Sequence, residues 1–313
     1  MKSEIVFLGP EFAYEALKKD LSEKITLIYP EPIKAEVARA MITASGLLDA
    51  SMKVRLTDEM FAKSPDISIV SCATTGSDHI ESGVLSGRGG EVRTLREDRD
   101  LLMNLTPAAE LSWALLMACA RKIPASLNHV CSGSWNRELF PGIMIKGKRL
   151  GLIGCGRIGG WMARYGNAFG VEVVGYDPVL DKFPENIRKV SLDELFEECD
   201  FISAHVHLTD ETRGMLTEKL FKKVKSGAIF INTSRSGICD EDALLNGLLS
   251  GRLAGAGLDV LSGEPDIEDS PLVAYARTHD NLIITPHIGG FSPDAVKLVC
   301  DRAMGKILKK LNL

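Results

Sequence analysis

The stretch from Lys148 to Asp177, KRLGLIGCGRIGGWMARYGNAFGVEVVGYD, constrains the fold more than any other part of the chain. It reads as strand, glycine turn, helix, strand and acid. Arg149–Ile153 is a short apolar run of the kind that forms a buried parallel strand. Gly154, Gly156 and Gly159 follow at the G-x-G-x-x-G spacing, with Arg157 and Ile158 between the last two. Gly154 permits a tight turn, Gly156 lets a pyrophosphate approach the backbone, and Gly159 lets the helix pack close to the strand. The free N–H groups and dipole at the helix start attract phosphate charge. Asp177, 18 residues after Gly159, stands where an acid can accept hydrogen bonds from a ribose diol. A glycine-rich turn without a ligand would leave that acid unexplained. The pattern predicts dinucleotide binding, and the acid predicts NAD rather than NADP, because a 2′-phosphate would meet its negative charge.

Strand and helix signals alternate along the whole chain, which predicts an α/β architecture with parallel sheets. Before the glycine turn, strands are expected at Glu4–Leu8, Ile25–Tyr29 and Ile67–Cys72, with helices at Phe12–Lys19 and Ile33–Ala44 between them. After it, strands are expected at Phe201–Val206, Ala228–Asn232, Ala254–Leu258 and Leu282–Ile284, and a last helix over Ser292–Lys310. Thr106-Pro107 looks like the cap and first residue of a long helix reaching Arg121. A glycine fingerprint normally follows the first strand of its domain, yet 147 residues precede Lys148 here. A separate α/β domain therefore comes first. The expected division is residues 1–100 with 286–313 for one domain and 101–285 for the other.

Composition narrows the classes of function. The 313 residues suggest two domains, and a net charge of -5 argues against a nucleic-acid partner. Arg88, Arg93, Arg96 and Arg99 form the densest basic stretch, but Glu91, Glu97, Asp98 and Asp100 are interleaved, as in a solvated surface segment. The seven cysteines are odd in number and form no C-x-x-C pair, which fits reduced thiols in the cytoplasm. The N-terminal apolar run is short for a signal peptide, and Ala108–Ala120 is short for a membrane span. His205 and His207 form an H-x-H pair without a third ligand, so no metal is expected.

Ligands of open α/β sheets bind beyond the carboxyl ends of the strands. Four side chains follow predicted strands there: Arg235, Asp259, Glu264 and His287. These types suit chemistry at a 2-oxo acid. Arginine holds a carboxylate bidentately and polarises a carbonyl. Histidine moves a proton near neutral pH, and a carboxylate on its second nitrogen fixes its tautomer and favours the protonated form. Each residue alone is more often an ion-pair or turn residue; together at the strand ends of one dinucleotide-binding sheet they predict a site. His79, His129 and His279 are expected to be structural or surface residues.

From about Ile67 to Gly290 the chain resembles the D-isomer-specific 2-hydroxyacid dehydrogenase family, including its phosphoglycerate, glyoxylate/hydroxypyruvate and D-lactate-type members. The resemblance rests on ATTGSDHI, TPAAELSWALL, the GCGRIG turn with YDP, HLTDETRG, GAIFINTSRSG, GLDVLSGEP and TPHIGG. It implies two doubly wound parallel-sheet domains, with a Rossmann NAD-binding domain inserted into a flavodoxin-like substrate domain built from both chain ends. It implies Arg235, Glu264 and His287 as the catalytic trio and backbone N–H groups at Thr75 and Gly76 on the substrate carboxylate. It also implies Asp259 on the nicotinamide carboxamide and Thr212 and Thr233 in loops lining the cofactor cleft. A homodimer is implied, with Trp113 and Trp135 in the helical region that serves it. Two features depart from the pattern. His207 stands where proline is usual, and the chain ends 26 residues after His287, short of the regulatory domain of longer phosphoglycerate enzymes.

The resulting expectation is hydride transfer between NAD(H) and C2 of a small 2-hydroxy or 2-oxo acid. Two rivals use the same scaffold: an NAD(H)-responsive, corepressor-like binding protein, and a formate- or phosphite-type dehydrogenase.

Overall fold

The computed structural model describes residues Lys2–Leu313, and the chain divides into two compact units. One comprises Phe291–Leu313 and the N-terminal part through Leu105; the other is Thr106–Gly290. Pro286–Gly290 therefore group with the second unit rather than with the chain end. The reason lies in the bonds that Asp259 makes to this segment, described below.

The first unit is built on five parallel strands: β1 (Ser3–Leu8), β2 (Ile25–Ile28), β3 (Gly46–Asp49), β4 (Ile69–Cys72) and β5 (Glu91–Arg93). Their order is β2-β1-β3-β4-β5, the flavodoxin-like arrangement, with its switch point between β1 and β3. Both faces are covered, so the inner strands read as unbroken apolar runs. On one face the helix Pro293–Leu311 buries Val296, Cys300, Ala303, Met304 and Ile307 against Ile5, Phe7, Leu48 and Ile69. On the other, Val37, Met41, Phe61 and Leu85 pack on Val6, Leu47 and Val70.

Strands β3 and β5 were not among the expected ones. Gly-Leu-Leu-Asp is four residues long and has no β-branched member, so neither period nor composition marks it as a strand. The basic stretch is also more structured than a solvated segment. Arg88 donates to the carbonyls of Phe61, Ser64 and Ile67 at 2.6–2.9 Å, closing the end of the Asp58–Ala62 helix. Asp98 is held by Lys306 and by Arg302 at 2.7 Å, which ties the segment after β5 to the last helix.

The second unit contains β6 (Arg149–Ile153), β7 (Glu172–Tyr176), β8 (Arg188–Lys189), β9 (Phe201–Ala204), β10 (Ala228–Asn232), β11 (Leu253–Leu258) and β12 (Leu282–Ile284). All are parallel, in the order β12-β11-β10-β9-β6-β7-β8. Counted from β6, this is the Rossmann order, with the switch point between β6 and β9. The sheet separates two cores, one around Phe196, Phe221 and Phe230, the other around Leu116, Leu152, Met162 and Ile231.

The stretch Arg99–Ala120 is long and apolar enough, by length and composition, to cross a membrane. Its backbone breaks at residues 103–106, leaving the helices Arg99–Leu102 and Pro107–Ala120. The longer has 14 residues, about 21 Å, against a hydrocarbon thickness of about 30 Å. Pro107 opens it as expected, but Thr106 donates its hydroxyl to Glu110 instead of capping the backbone.

Candidate active site

The glycine turn joins β6 to the helix Arg157–Ala168 at the switch point of the second sheet. Gly154 has φ +95°, and a Cβ there would lie 2.7 Å from the His205 backbone. A Cβ on Gly159 would fall inside the carbonyl of Gly154, whereas one on Gly156 would meet open space. Gly156 stands at the cap position and brings no side chain to the first-turn N–H groups of the helix. This is a turn that a phosphate can reach and a side chain would obstruct.

Asp177 follows β7, the neighbour of β6. Its Oδ2 accepts from the backbone N–H of Cys155, inside the glycine turn, at 2.8 Å. Its Oδ1 accepts from Val179 N–H at 2.9 Å and Leu180 N–H at 3.0 Å. The acid expected at the ribose is thus also part of the turn's frame. Burial pushes the Cys155 thiol up to about 12, with the Asp177 charge adding to the effect, so it stays protonated and inert.

Both threonines expected near the cofactor use their hydroxyls within the protein. Thr212 donates to the His207 carbonyl at 2.6 Å and accepts from Thr209 N–H at 2.8 Å, shaping the 207–212 loop. Thr233 shares a buried 2.6 Å hydrogen bond with Ser112. His205, the other member of the H-x-H pair, bonds Ser203 through Nε2 at 2.8 Å, and burial pushes it down to about 3. Among the described residues no three His, Cys, Asp or Glu side chains cluster as metal ligands would.

The chemistry-bearing side chains follow three adjacent strands, β10, β11 and β12, whose ends pair Asn232 with Leu258 and Leu258 with Ile284. Arg235 comes three residues after β10. Its turn is templated by buried Asn232, which accepts from Ser234 N–H at 3.0 Å and Oγ at 2.8 Å and donates to the Arg235 carbonyl at 3.1 Å. Sequence reasoning passed over Asn232. Asparagine at a strand end is a turn-former, and that was the available signal.

His287 comes three residues after β12 and has φ +54°, the left-handed region, where a non-glycine residue is strained by about 1–2 kcal/mol. Buried Asp259 holds it there. Its Oδ1 accepts from the Thr285 hydroxyl at 2.6 Å and Ile288 N–H at 2.8 Å, and its Oδ2 from Gly289 N–H at 2.7 Å. Burial pushes the Asp259 pKa up, and these donors, with nearby His287, pull against it. Asp259 therefore shapes the His287 turn, a role not expected for it, and Oδ2, with a single donor from Gly289, keeps acceptor capacity for a nicotinamide carboxamide. Within that turn His287 Nδ1 meets Glu264 Oε1 at 3.0 Å, both residues being about one-third exposed. The carboxylate fixes Nδ1, which leaves Nε2 for a ligand.

In the first unit, Thr75 and Gly76 lie in the turn after β4. Among the described residues, the N–H groups of Thr75, Gly76 and Ser77 make no backbone hydrogen bond. Consecutive open donors of this kind suit an anion.

A parallel dinucleotide-type sheet with a carboxylate–histidine pair at its strand ends defines a nicotinamide-dependent oxidoreductase. The description "D-isomer specific 2-hydroxyacid dehydrogenase, NAD binding domain" matches residues 113–289. A hydroxypyruvate reductase of Thermotoga maritima is 31% identical over 304 residues, 96% of this chain and 95% of that protein. D-3-phosphoglycerate dehydrogenase of Rattus norvegicus is 35% identical over 267 residues, 84% of this chain but 48% of the relative, so the match spans about half of that protein. Among solved structures, a D-lactate dehydrogenase from Aquifex aeolicus complexed with NAD and lactic acid superposes with a TM-score of 0.82 at 27% identity, covering 99% of this chain and 96% of that one. The chain belongs to the D-isomer-specific 2-hydroxyacid dehydrogenase family, NAD-dependent oxidoreductases acting on the CH–OH group of 2-hydroxy acids, and its second unit is the NAD-binding domain.

Proposed function

We propose that this protein interconverts a small 2-oxo acid and its D-2-hydroxy acid, with His287 as the acid and base. When bound, NAD(H) supplies or accepts the hydride at C2. The turn at Gly154, Gly156 and Gly159, with the N–H groups of Arg157 and Ile158, holds its pyrophosphate, and Asp177 its ribose. Protonated His287 donates through Nε2 to the carbonyl oxygen in reduction, and the neutral ring takes the proton back in oxidation. Glu264 stabilises the charged ring and keeps its orientation. Arg235 steadies negative charge developing on the substrate. Within the first unit, the open N–H groups of Thr75 and Gly76 are the donors assigned to a substrate carboxylate. The observation that carries this reading is the 3.0 Å Glu264–His287 contact on a turn held in the left-handed region.

The test is NADH oxidation against glyoxylate, hydroxypyruvate, 2-oxoglutarate and phosphohydroxypyruvate, with His287→Ala as control. Turnover with one of them, lowered roughly 10²–10⁴-fold in the variant, is the expected result. Equal turnover in wild type and His287→Ala would refute the role. Tight NADH binding with no turnover of any acid would favour a corepressor-like protein or a different substrate.

The same reading includes a homodimer in the cytoplasm. Ile123, Leu127, Val130, Trp135 and Met144 are exposed apolar residues in one region of the second unit, the last two 89% and 77% exposed. Sedimentation of the wild type and of Trp135→Arg tests it: a dimer that the substitution splits is expected. The seven unpaired thiols suit a reducing compartment.

A further inference from the structure

We infer that Asp49 and His79 are a positioning pair that sets the Thr74–Ser77 turn for the substrate carboxylate. The inference rests on the assignment of that turn to the carboxylate in the proposed function. Asp49 ends β3, the strand beside β4, at the carboxyl edge where ligands of such sheets bind. It holds the 73–79 segment at both ends. Its backbone carbonyl accepts from Ala73 N–H at 2.8 Å, and its Oδ2 meets His79 Nε2 at 2.6 Å. The carboxylate is fully buried, and its Oδ1 accepts from Ser51 N–H at 2.8 Å, Ser51 Oγ at 3.1 Å and Met52 N–H at 3.1 Å.

Between those ends the turn is held by its carbonyls. Leu95 N–H donates to Thr74 at 2.9 Å, Ile80 N–H to Ser77 at 3.0 Å and Leu56 N–H to His79 at 3.0 Å. Thr74 Oγ1 donates to the Gly76 carbonyl at 2.7 Å. The acceptors are engaged and the N–H groups at 75–77 are left open, the pattern of a turn arranged for an anion.

The second unit contains the same construction at its own phosphate turn. Asp177 Oδ1 accepts from the N–H groups two and three residues on, as Asp49 Oδ1 does, and its Oδ2 crosses to the turn of the neighbouring strand. A buried carboxylate–imidazole pair is a costly way to fill space, because an apolar pair closes the same gap without desolvating polar atoms. His79 Nδ1 is buried without a hydrogen-bond partner, so among the described residues Asp49 is the ring's one anchor. What the pair adds is direction, fixing where the turn's far end sits.

The experiment compares His79→Ala, His79→Gln and Asp49→Asn with wild type. Glutamine places an amide nitrogen near the position of Nε2 and can donate to Asp49. KM for the 2-oxo acid, kcat, NADH Kd by fluorescence, Tm, and hydrogen exchange of the 73–79 segment are read for each. The expected result is a KM raised about tenfold or more in His79→Ala and Asp49→Asn, with NADH Kd unchanged, kcat within about threefold, faster exchange at 73–79, and recovery in His79→Gln. A lower Tm with unchanged KM would overturn the inference and make the pair merely structural. Absence of wild-type turnover with every acid would instead sink the proposed function and with it the carboxylate assignment. The exchange comparison would then still decide whether Asp49 clamps the turn, with equal exchange in all four proteins refuting the clamp.

Discussion

Asp177 and Asp49 solve one problem in two ways. Each stands at the carboxyl end of a parallel strand, bonds its own following loop through Oδ1, and reaches through Oδ2 to the turn of the adjacent strand. Asp177 takes a backbone N–H there, at Cys155, so any residue but proline at position 155 could donate it. Asp49 takes an imidazole, so its clamp exists only while position 79 carries a side chain of the right length. The first device is written in one residue and a glycine spacing; the second needs two residues 30 apart that only the fold brings together. Asp259 carries the device further, with both oxygens crossing to the turn after β12.

If crossing carboxylates set these turns, removing the one with most crossing bonds should do most damage. Asp259→Ala leaves the Thr285 hydroxyl and the Ile288 and Gly289 N–H groups without their acceptor and the strained His287 backbone without its tether. Unfolding free energy should fall by about 3 kcal/mol in urea denaturation, at roughly 1 kcal/mol or more per stranded donor. Turnover should fall at least about 10²-fold because His287 is no longer placed. Loss of stability with full turnover would show that the turn holds its shape unaided, and the comparison would break at its strongest member.

This contrast also explains what the sequence revealed and what it did not. The β6–β7 region was legible from Lys148 to Asp177 because strand, turn, helix and acid are contiguous and each residue type has a local reason. Arg235, Glu264 and His287 were legible as strand-end residues, and the structure does bring Glu264 to His287. Strand β3 was not, being too short and too plain in composition, and so the Asp49 at its end could not be placed. The role of His79 is equally hidden, because its partner Asp49 lies 30 residues away on that strand. Asp259 was found, but its bonds to Thr285, Ile288 and Gly289 depend on the register of β11 and β12, which no local pattern encodes.

His205 sharpens the comparison from the other side, as a strand-end group after β9 that uses Ser203 rather than a carboxylate. Burial holds the folded ring neutral down to about 3, while the unfolded ring takes a proton near the ordinary histidine value of 6.5. Between those values the unfolded state binds more protons. The contribution is present above pH 6.5 and lost as pH falls through the window, by about 1.4 kcal/mol per unit, or roughly 2 kcal/mol by pH 5. Denaturation of His205→Gln at pH 7 and 5 should show that much less acid sensitivity than wild type. An equal slope in both proteins would mean that the folded ring is charged after all.

Asp177 tests whether a clamp can also recognise a ligand. In Asp177→Ala the preference for NADH over NADPH should shrink at least tenfold, about 1.4 kcal/mol, read from the two kcat/KM values. If binding of both cofactors weakens equally, Asp177 only frames the glycine turn, as Asp49 frames its own.

The smallest expected effect dissects the Asp259 clamp. Thr285→Val keeps the shape of the side chain and removes one of the three donors to Asp259, the 2.6 Å hydroxyl bond. The Ile288 and Gly289 N–H groups keep the carboxylate paired, so the loss should be about 1 kcal/mol in urea denaturation, the net value of one hydrogen bond. Burial already pushes the Asp259 pKa up, and the Thr285 bond lowers it, so the variant should raise it further. An acid whose folded pKa is raised adds stability below its unfolded value that is lost as pH rises through the folded one. The deficit of Thr285→Val should therefore be larger at pH 7 than in the acid range where Asp259 is protonated. A deficit independent of pH would mean that the hydroxyl does not favour the charged carboxylate, and that the backbone donors alone hold the His287 turn.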